Sequence, residues 1–306
     1  MNAQSIFIIL SFICLLLYSI TLLGKTIEEN NQNLIKKILD KFTFSTLSSF
    51  LTGIIVCLFT QSSSIITILT ISLISAKVLS LKNGLAIVIG SNIGTTLVSL
   101  LVSLEIGTLY YCLFIIGTIF LFINKKQVSS ILIYIGLIFL SLDFIELKLL
   151  NLFDENFIKE SLTKFENPLL GILSGTIFSF LIESSAATIA LVQNMHKNGL
   201  LSNILGISIM LGANIGTTIS GLIFSINSSV DSKRVAVGSL LFNIFGVLLI
   251  IPFIYIYKES ILYLNNSYLI STMHIYFNII TGILGLFLIT PLTKLTQKLV
   301  KEKDTP

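Results

Sequence analysis

Two short polar clusters occur twice in this chain at one fixed spacing, each time inside apolar sequence. Adding 122 to a residue number takes Gly53 to Gly175, Ser62-Ser63 to Ser184-Ser185, Leu79-Ser80 to Leu201-Ser202, Gly84 to Gly206 and Gly90 to Gly212. It also takes Asn92-Ile93-Gly94-Thr95-Thr96 to Asn214-Ile215-Gly216-Thr217-Thr218, with no gap between the clusters. Apolar segments match one another by chance in Leu and Ile, not in polar residues held in register. The spacing therefore predicts two copies of one unit, about 1–122 and 123–245, then a C-terminal membrane segment over 246–293 and a charged tail over 294–306.

The surroundings of the clusters set the solvent. The chain is 54% hydrophobic and 11% charged, with a mean hydropathy of +0.96, whereas a soluble domain carries roughly 25% charged residues. That excludes a soluble enzyme, a disordered chain and a nucleic-acid binder; the net charge of +4 forms no basic face. Cys14, Cys57 and Cys112 all lie in apolar runs without metal-ligand spacing and read as small packed hydrophobes. No Lys or Arg precedes the first apolar run at 5–23, which therefore reads as a retained helix and not a signal peptide.

A membrane helix needs about 20 apolar residues. Stretches free of Asp, Glu, Lys and Arg at 5–23, 106–123, 128–142, 235–257 and 269–289 read as simple spans. Residues 42–76 do not. One helix over them would reach about 52 Å at about 1.5 Å per residue, too long for one crossing and short for two. Their middle is Thr60-Gln61-Ser62-Ser63-Ser64. A re-entrant helical hairpin is expected here, and another over 167–195, centred on Glu183-Ser184-Ser185. The stretches 83–104 and 198–224 read as spans broken by the Gly-rich patches Gly90–Thr96 and Gly212–Thr218, where Gly90, Gly94, Gly212 and Gly216 would shape an unwound backbone lining a cavity. The fold class is thus an all-α polytopic membrane protein with two inverted-topology repeats, each holding a re-entrant hairpin and a broken helix, plus one C-terminal helix.

Three full crossings and one returning hairpin per unit turn the second unit upside down. With the segment 24–41 inside the cell, Lys25, Lys77, Lys82, Lys125, Lys126, Lys233, Arg234 and the tail lysines are all inside, and Lys148, Lys159, Lys164, Lys197 and Lys258 are outside. That sorting obeys the positive-inside rule. The expected orientation is N-out and C-in in a bacterial cytoplasmic membrane.

Inverted repeats with discontinuous helices characterise secondary transporters. Helix N-termini at two opposed hairpin tips would present free N–H groups and positive dipole ends to an anion. Gln61, Ser62, Ser63, Ser64, Asn92, Thr95 and Thr96 from the first unit, with Glu183, Ser184, Ser185, Thr188, Asn214, Thr217 and Thr218 from the second, are the expected substrate- and ion-binding residues. All but Glu183 bring hydroxyl or amide groups without formal charge. Unwound carbonyls and hydroxyls nearby would suit a dehydrated Na⁺. The competing reading, that small residues merely let helices approach, explains a lone Ser better than two repeated clusters.

A serine cluster followed by N-I-G-T-T, twice, resembles the type II sodium–phosphate cotransporters and their bacterial relatives, which carry Q-S-S-S and G-A-N-I-G-T-T motifs in each inverted half. Gln61 through Ser64 match the first motif. Gly90 through Thr96 match the second with Ser91 in place of Ala, and Gly212 through Thr218 match it fully. Asn167-Pro168-Leu169-Leu170-Gly171 resembles the run-in to the second hairpin. Leu240-Leu241-Phe242-Asn243 and His274-Ile275-Tyr276-Phe277-Asn278 resemble later H-x-x-F-N segments. The resemblance implies Na⁺-driven symport of inorganic phosphate, with sodium as the coupling ion, no other cofactor and no enzymatic activity. The family's appended regulatory domain would be absent behind the short tail.

Two positions depart from the pattern. The second Q-S-S-S is Glu183-Ser184-Ser185-Ala186, and Ser239 stands where the family has the first of two histidines. Glu183 reads as the sole acid inside a span, and an ionisable group there is a functional hypothesis by default. As a carboxylate it would bind a cation; as a buried neutral acid it would mimic Gln; or it would mark a different substrate. Retained phosphate binding with altered cation coupling is the favoured reading. The alternatives are another anion, proton coupling through Glu183, and, remotely, an intramembrane serine hydrolase, which lacks the G-x-S-x-G elbow. His196 reads as a solvated loop residue, His274, Asn243 and Asn278 as helix-bonding groups, and Lys233-Arg234 as a membrane-edge anchor.

Overall fold

A computed structural model describes residues 3–60, 62–103, 109–152, 167–262, 264 and 266–302. They form helices α1 (Ala3–Phe42), α2 (Thr46–Thr60), α3 (Ser63–Ser75), α4 (Leu81–Ser103), α5 (Leu109–Phe122), α6 (Lys126–Leu152), α7 (Pro168–Ile182), α8 (Ser185–Lys197), α9 (Asn203–Ser225), α10 (Val230–Ile256), α11 (Lys258–Leu262), α12 (Leu269–Phe287) and α13 (Ile289–Leu299). The chain is an all-helical polytopic membrane protein. Four helical segments, Lys126–Ile145, Asn203–Ser225, Val230–Ile256 and Leu269–Phe287, are long and apolar enough to cross a membrane by length and composition.

The 122-residue offset returns in the packing. Between helices in lipid the hydrophobic effect gives little drive, so close approach through small residues holds the bundle. A Cβ built on Gly53 would stand 2.1 Å from the Ile87 carbonyl oxygen, and on Gly175 2.1 Å from that of Ile209. A Cβ on Gly90 or Gly212 would stand 2.0 Å from the carbonyl oxygen of Phe50 or Ile172. Each contact partner is shifted by the same offset as its glycine. The α2/α4 pair and the α7/α9 pair are therefore the same backbone-on-backbone contact made twice.

These glycines overturn one expectation. Residues 90–96 and 212–218 are not unwound; α4 and α9 run unbroken through both patches. Gly94 and Gly216 likewise serve approach: a Cβ would lie 2.8 Å from Ile54 O and 2.3 Å from Thr176 O. The breaks lie in the hairpins instead, between α2 and α3 and between α7 and α8.

Hydrogen bonds fix the direction of each hairpin. At the exit of α3, Ser75 Oγ lies 2.8 Å from Ser232 Oγ on α10, and Ser232 donates to Ile71 O at 2.8 Å. The exit of α3 thus shares a face of the bundle with the start of α10. At the exit of α8, His196 Nε2 lies 2.7 Å from Asn203 Oδ1 at the start of α9. Spanning about 34 Å at about 1.5 Å per residue, α9 separates these two faces. The hairpins α2–α3 and α7–α8 therefore open on opposite faces. The first face also carries Asn83, whose Nδ2 donates to Thr43 O at the end of α1, and Arg234, whose Nε donates to Val300 O at 3.0 Å.

Several other expectations change. Residues 24–41 continue α1 as helix instead of forming a loop; no Pro interrupts them, and charge alone does not end a helix. The acidic stretch from 143 begins as helix in α6, with 153–166 outside the described residues. Asp143 therefore lies at the end of an apolar span, accepting a 2.7 Å bond from the Tyr110 hydroxyl of α5, so Glu183 is not the sole acid at membrane depth. The charged tail begins inside α13, not after it. His196 belongs to the last turn of α8, not to the loop after it, is half-buried, and its Nε2 meets Asn203 Oδ1. Arg234 is buried, with Nη1 2.7 Å from Asp231, so it clamps the C-terminal helix as well as marking a membrane edge.

Candidate functional site: two hairpin tips and a buried amide network

Serine makes both tips. Ser62 and Ser184 are the N-caps of α3 and α8, with φ/ψ of −146°/113° and −146°/111°. Their hydroxyl oxygens accept from Ile65 N at 3.3 Å and Ala187 N at 3.1 Å. A short side chain with an acceptor oxygen is what an extended N-cap position selects. Each cap satisfies one first-turn N–H, and the N–H groups before it have no intrahelical partner. Ser63 and Ser185 follow in the first turn, buried, and among the described residues neither hydroxyl has a hydrogen-bond partner. Two helix N-termini thus point inward from opposite faces, each with backbone N–H groups and a hydroxyl available.

The tips touch. Ser64 Oγ donates to the Glu183 carbonyl oxygen at 3.3 Å, joining the first hairpin to the second. Glu183 caps α7 in the left-handed conformation, φ 58° and ψ 23°. Its side chain is exposed. Its first-unit counterpart, Gln61, lies outside the described residues. Thr188 turns back on the tip, donating to Ser184 O at 2.9 Å.

The N-I-G-T-T residues lie midway along α4 and α9, against the hairpin arms just before the tips. Thr95 Oγ1 donates to Ser91 O at 2.9 Å and touches Cys57 Sγ at 3.7 Å. Thr96, Thr217 and Thr218 donate to carbonyls of their own helices, Ile93, Asn214 and Ile215. A threonine oxygen used this way still has lone pairs for a cation. Ser179 Oγ and Thr176 Oγ1 bond Ala213 O and Gly212 O, tying α7 to the second motif.

The two motif asparagines differ in setting. Asn92 is half-exposed, and its Nδ2 donates to Asn243 Oδ1 at 3.3 Å. Asn214 is 5% exposed, and its Oδ1 receives His274 Nε2 at 3.2 Å and Asn278 Nδ2 at 3.4 Å. The structure thus joins the two hairpins at their tips through Ser64 and the Glu183 carbonyl, while the asparagines face partners on α10 and α12. Among the described residues no hydrogen bond joins a hairpin serine to either asparagine. Ser99, which meets His274 Nδ1 at 2.9 Å, is the polar residue that sequence reading did not single out. Its signal was weak: one more serine on an apolar helix.

Comparison with known proteins agrees with this arrangement of paired halves. The Na⁺/Pi-cotransporter family matches residues 15–147 and again 148–288. "Putative inorganic phosphate export protein YjbB" of Escherichia coli K12 is 29% identical over 266 residues, 83% of this chain and 48% of that protein. "Uncharacterized protein YqeW" of Bacillus subtilis 168 is 25% identical over 312 residues, 96% of this chain and 97% of that protein. "Sodium-dependent phosphate transport protein 2B" of Homo sapiens is 34% identical over 92 residues, 28% of this chain and 13% of that protein. The chain spans about half the length of the YjbB proteins. No solved structure matches. The chain belongs to the Na⁺/Pi-cotransporter family.

Proposed function

We propose that this chain carries inorganic phosphate across a bacterial cytoplasmic membrane together with sodium. The observation behind this reading is the contact between the two opposed hairpin turns, where Ser64 at the start of α3 donates to the Glu183 carbonyl just before the start of α8. Each tip brings a positive dipole end, first-turn N–H groups and a serine hydroxyl, Ser63 or Ser185, with no Lys or Arg in either first turn. Such a site binds a phosphate through neutral donors and releases it again, as a carrier must. Sodium draws on the oxygen atoms around the tips, and the exposed Glu183 carboxylate is the group by which cation coupling differs from a Gln-bearing relative. The family's name and the sodium-dependent transport named for the human relative support the coupling.

Two hairpins opening on opposite faces give the site one door on each side. The positive-inside rule puts the face with Lys77, Lys82, Lys233 and Arg234 in the cytoplasm, with the N-terminus outside and the C-terminus inside. Flux follows the summed gradients, so the export named for the YjbB relatives and uptake are both open to one symporter. The repeat units over 1–122 and 123–245 supply one hairpin each.

Radiolabelled phosphate uptake into proteoliposomes, under separate inward Na⁺ and H⁺ gradients, tests the reading. Uptake driven by Na⁺, and lost in both Ser63→Ala and Ser185→Ala, is expected. Uptake driven by H⁺ alone overturns the sodium coupling. Folded protein that moves no phosphate under either gradient overturns the substrate.

A further inference from the structure

His274, on α12, is fully buried between the two motif helices. Its Nδ1 meets Ser99 Oγ of α4 at 2.9 Å and its Nε2 meets Asn214 Oδ1 of α9 at 3.2 Å. An amide oxygen only accepts, so Nε2 carries the proton and Nδ1 accepts from the Ser99 hydroxyl, whose single proton it shares with the Thr96 carbonyl oxygen 2.9 Å away. One ring therefore joins α4 of the first unit to α9 of the second.

The same ring uses up Asn214. Its Oδ1 has two lone pairs and two donors, His274 Nε2 and Asn278 Nδ2. Its Nδ2 donates to Met210 O at 2.9 Å. Its second N–H lies against Met210 Sδ at 3.8 Å, so no lone pair of this amide oxygen is left for a cation unless the bridge opens.

The counterpart amide is free on its acceptor side. Asn92 Nδ2 is taken by Asn243 Oδ1, but Asn92 Oδ1 has no partner and the side chain is half-exposed. The residue spaced from Asn243 as His274 is from Asn278 is Ser239, too short to bridge, and the counterpart of Ser99 is Gly221. Thr67 fills the space there, with its Cγ2 2.9 Å from where a Gly221 Cβ would stand. The bridge is thus built on one side of a pseudo-symmetric pair. An unpartnered amide oxygen suits a hard cation and not a phosphate oxygen, because it can only accept.

We infer that His274 is a positioning residue that locks Asn214 into a structural bridge between α4 and α9, leaving Asn92 Oδ1 as the motif amide that faces a transported sodium ion. This rests on the phosphate–sodium reading above. In the transport cycle the bridge makes the two motif helices move as one piece.

Reconstituted protein tests it through the Na⁺ concentration dependence of phosphate uptake. Asn92→Ala raises the half-saturating Na⁺ concentration at least about tenfold, or about 1.4 kcal/mol of cation binding. Asn214→Ala and His274→Ala lower the maximal rate and shift that concentration less than about threefold, since neither residue touches the ion. The double variant is no worse than the worse single one, because both act through one bridge. His274→Gln, which can still donate to Asn214 and accept from Ser99, restores most of the rate. The inference is overturned if Asn214→Ala weakens Na⁺ dependence as much as Asn92→Ala, if the double variant is additive, or if Gln behaves as Ala.

If the wild type moves no phosphate, the functional reading fails and the inference is still decided on purified protein. Na⁺ should raise the unfolding temperature of the wild type and of Asn214→Ala but not of Asn92→Ala. Ser99→Ala and His274→Ala should be non-additive in the same scan. A Na⁺ shift retained in Asn92→Ala, or additive losses, would sink it.

Discussion

Gly90→Ala tests whether the glycines of the repeated motif serve close approach or backbone shape. The added Cβ would stand 2.0 Å from Phe50 O and 3.3 Å from Ile54 N. Contacts below 3.0 Å essentially never occur, so α2 and α4 must part by about 1 Å. The obstacle is backbone, which cannot rotate away as a side chain would. A gap of about 0.5–1 Å forfeits a quarter to a half of the dispersion well along the seam. Overpacking of this kind costs about 1–3 kcal/mol, and the better helix propensity of Ala returns about 1 kcal/mol at most. A net loss of about 2 kcal/mol is expected, and the same for Gly212→Ala, whose Cβ meets Ile172 O at the same distance. Gly199→Ala is the control. It has φ +69° with nothing within 4 Å, so it suffers only left-handed strain of about 1–2 kcal/mol. Reversible unfolding in mixed micelles, followed by circular dichroism, gives all three values. The reasoning fails if Gly90→Ala lies within about 0.5 kcal/mol of wild type, or if Gly90→Ala and Gly212→Ala differ by more than that spread.

Three further outcomes follow from the geometry. Removing either N-cap, Ser62→Ala or Ser184→Ala, should lower stability by about 1 kcal/mol each, equally because the cap geometries coincide; a difference larger than a few tenths in the same unfolding assay would show that the tips are not equivalent. Glu183→Gly should raise the unfolding temperature, since a non-glycine residue at φ 58° stores about 1–2 kcal/mol, whereas Glu183→Gln should leave it unchanged and alter only the Na⁺ or H⁺ dependence of uptake; Glu183→Gly that unfolds earlier contradicts the strain. Arg234→Ala should cost about 1.5–3 kcal/mol through the lost Nε bond to Val300 O and expose α13 to limited proteolysis, with no rescue by Lys, which lacks the fork; the exposed Asp231 and Glu302 add little.

What was legible in the sequence was whatever a membrane makes expensive. Ser62 and Ser184 stand out because a polar cluster at the centre of a charge-free stretch needs a structural reason, and each marks a helix start inside the bilayer. The offset survived because backbone-on-backbone contacts at Gly53, Gly90 and their counterparts tolerate no side chain. The break expected at Gly90–Thr96 failed because glycine has two uses, positive φ and close approach, written with one letter. Only the neighbouring helix decides between them, and it lies about 40 residues away at Phe50. The long α1 was hidden for a different reason. Charge told where the membrane ends but not where the helix does, and helix ends need a cap, a Gly or a Pro.

The asymmetry of the two halves was illegible for a third reason, and it bears most on mechanism. A repeat read from sequence predicts that equivalent residues do equivalent work, and the hairpin tips obey this to within a few degrees of backbone angle. The asparagines do not, because their roles are set by partners that the 122-residue offset does not relate. Asn243 meets Asn92 with one oxygen, while His274 and Asn278 meet Asn214 with two donors. Pseudo-symmetry therefore governs how the doors are built, and the helices α10 and α12 govern what each half presents between them. A carrier with two identical halves would offer two identical cation sites. One with a bridge on a single side leaves Asn92 Oδ1 as the motif amide oxygen open to an ion, the other unpartnered amide oxygen, Asn278 Oδ1, being buried, and Asn92 is the position at which changing a side chain should change the ion dependence without disturbing the fold.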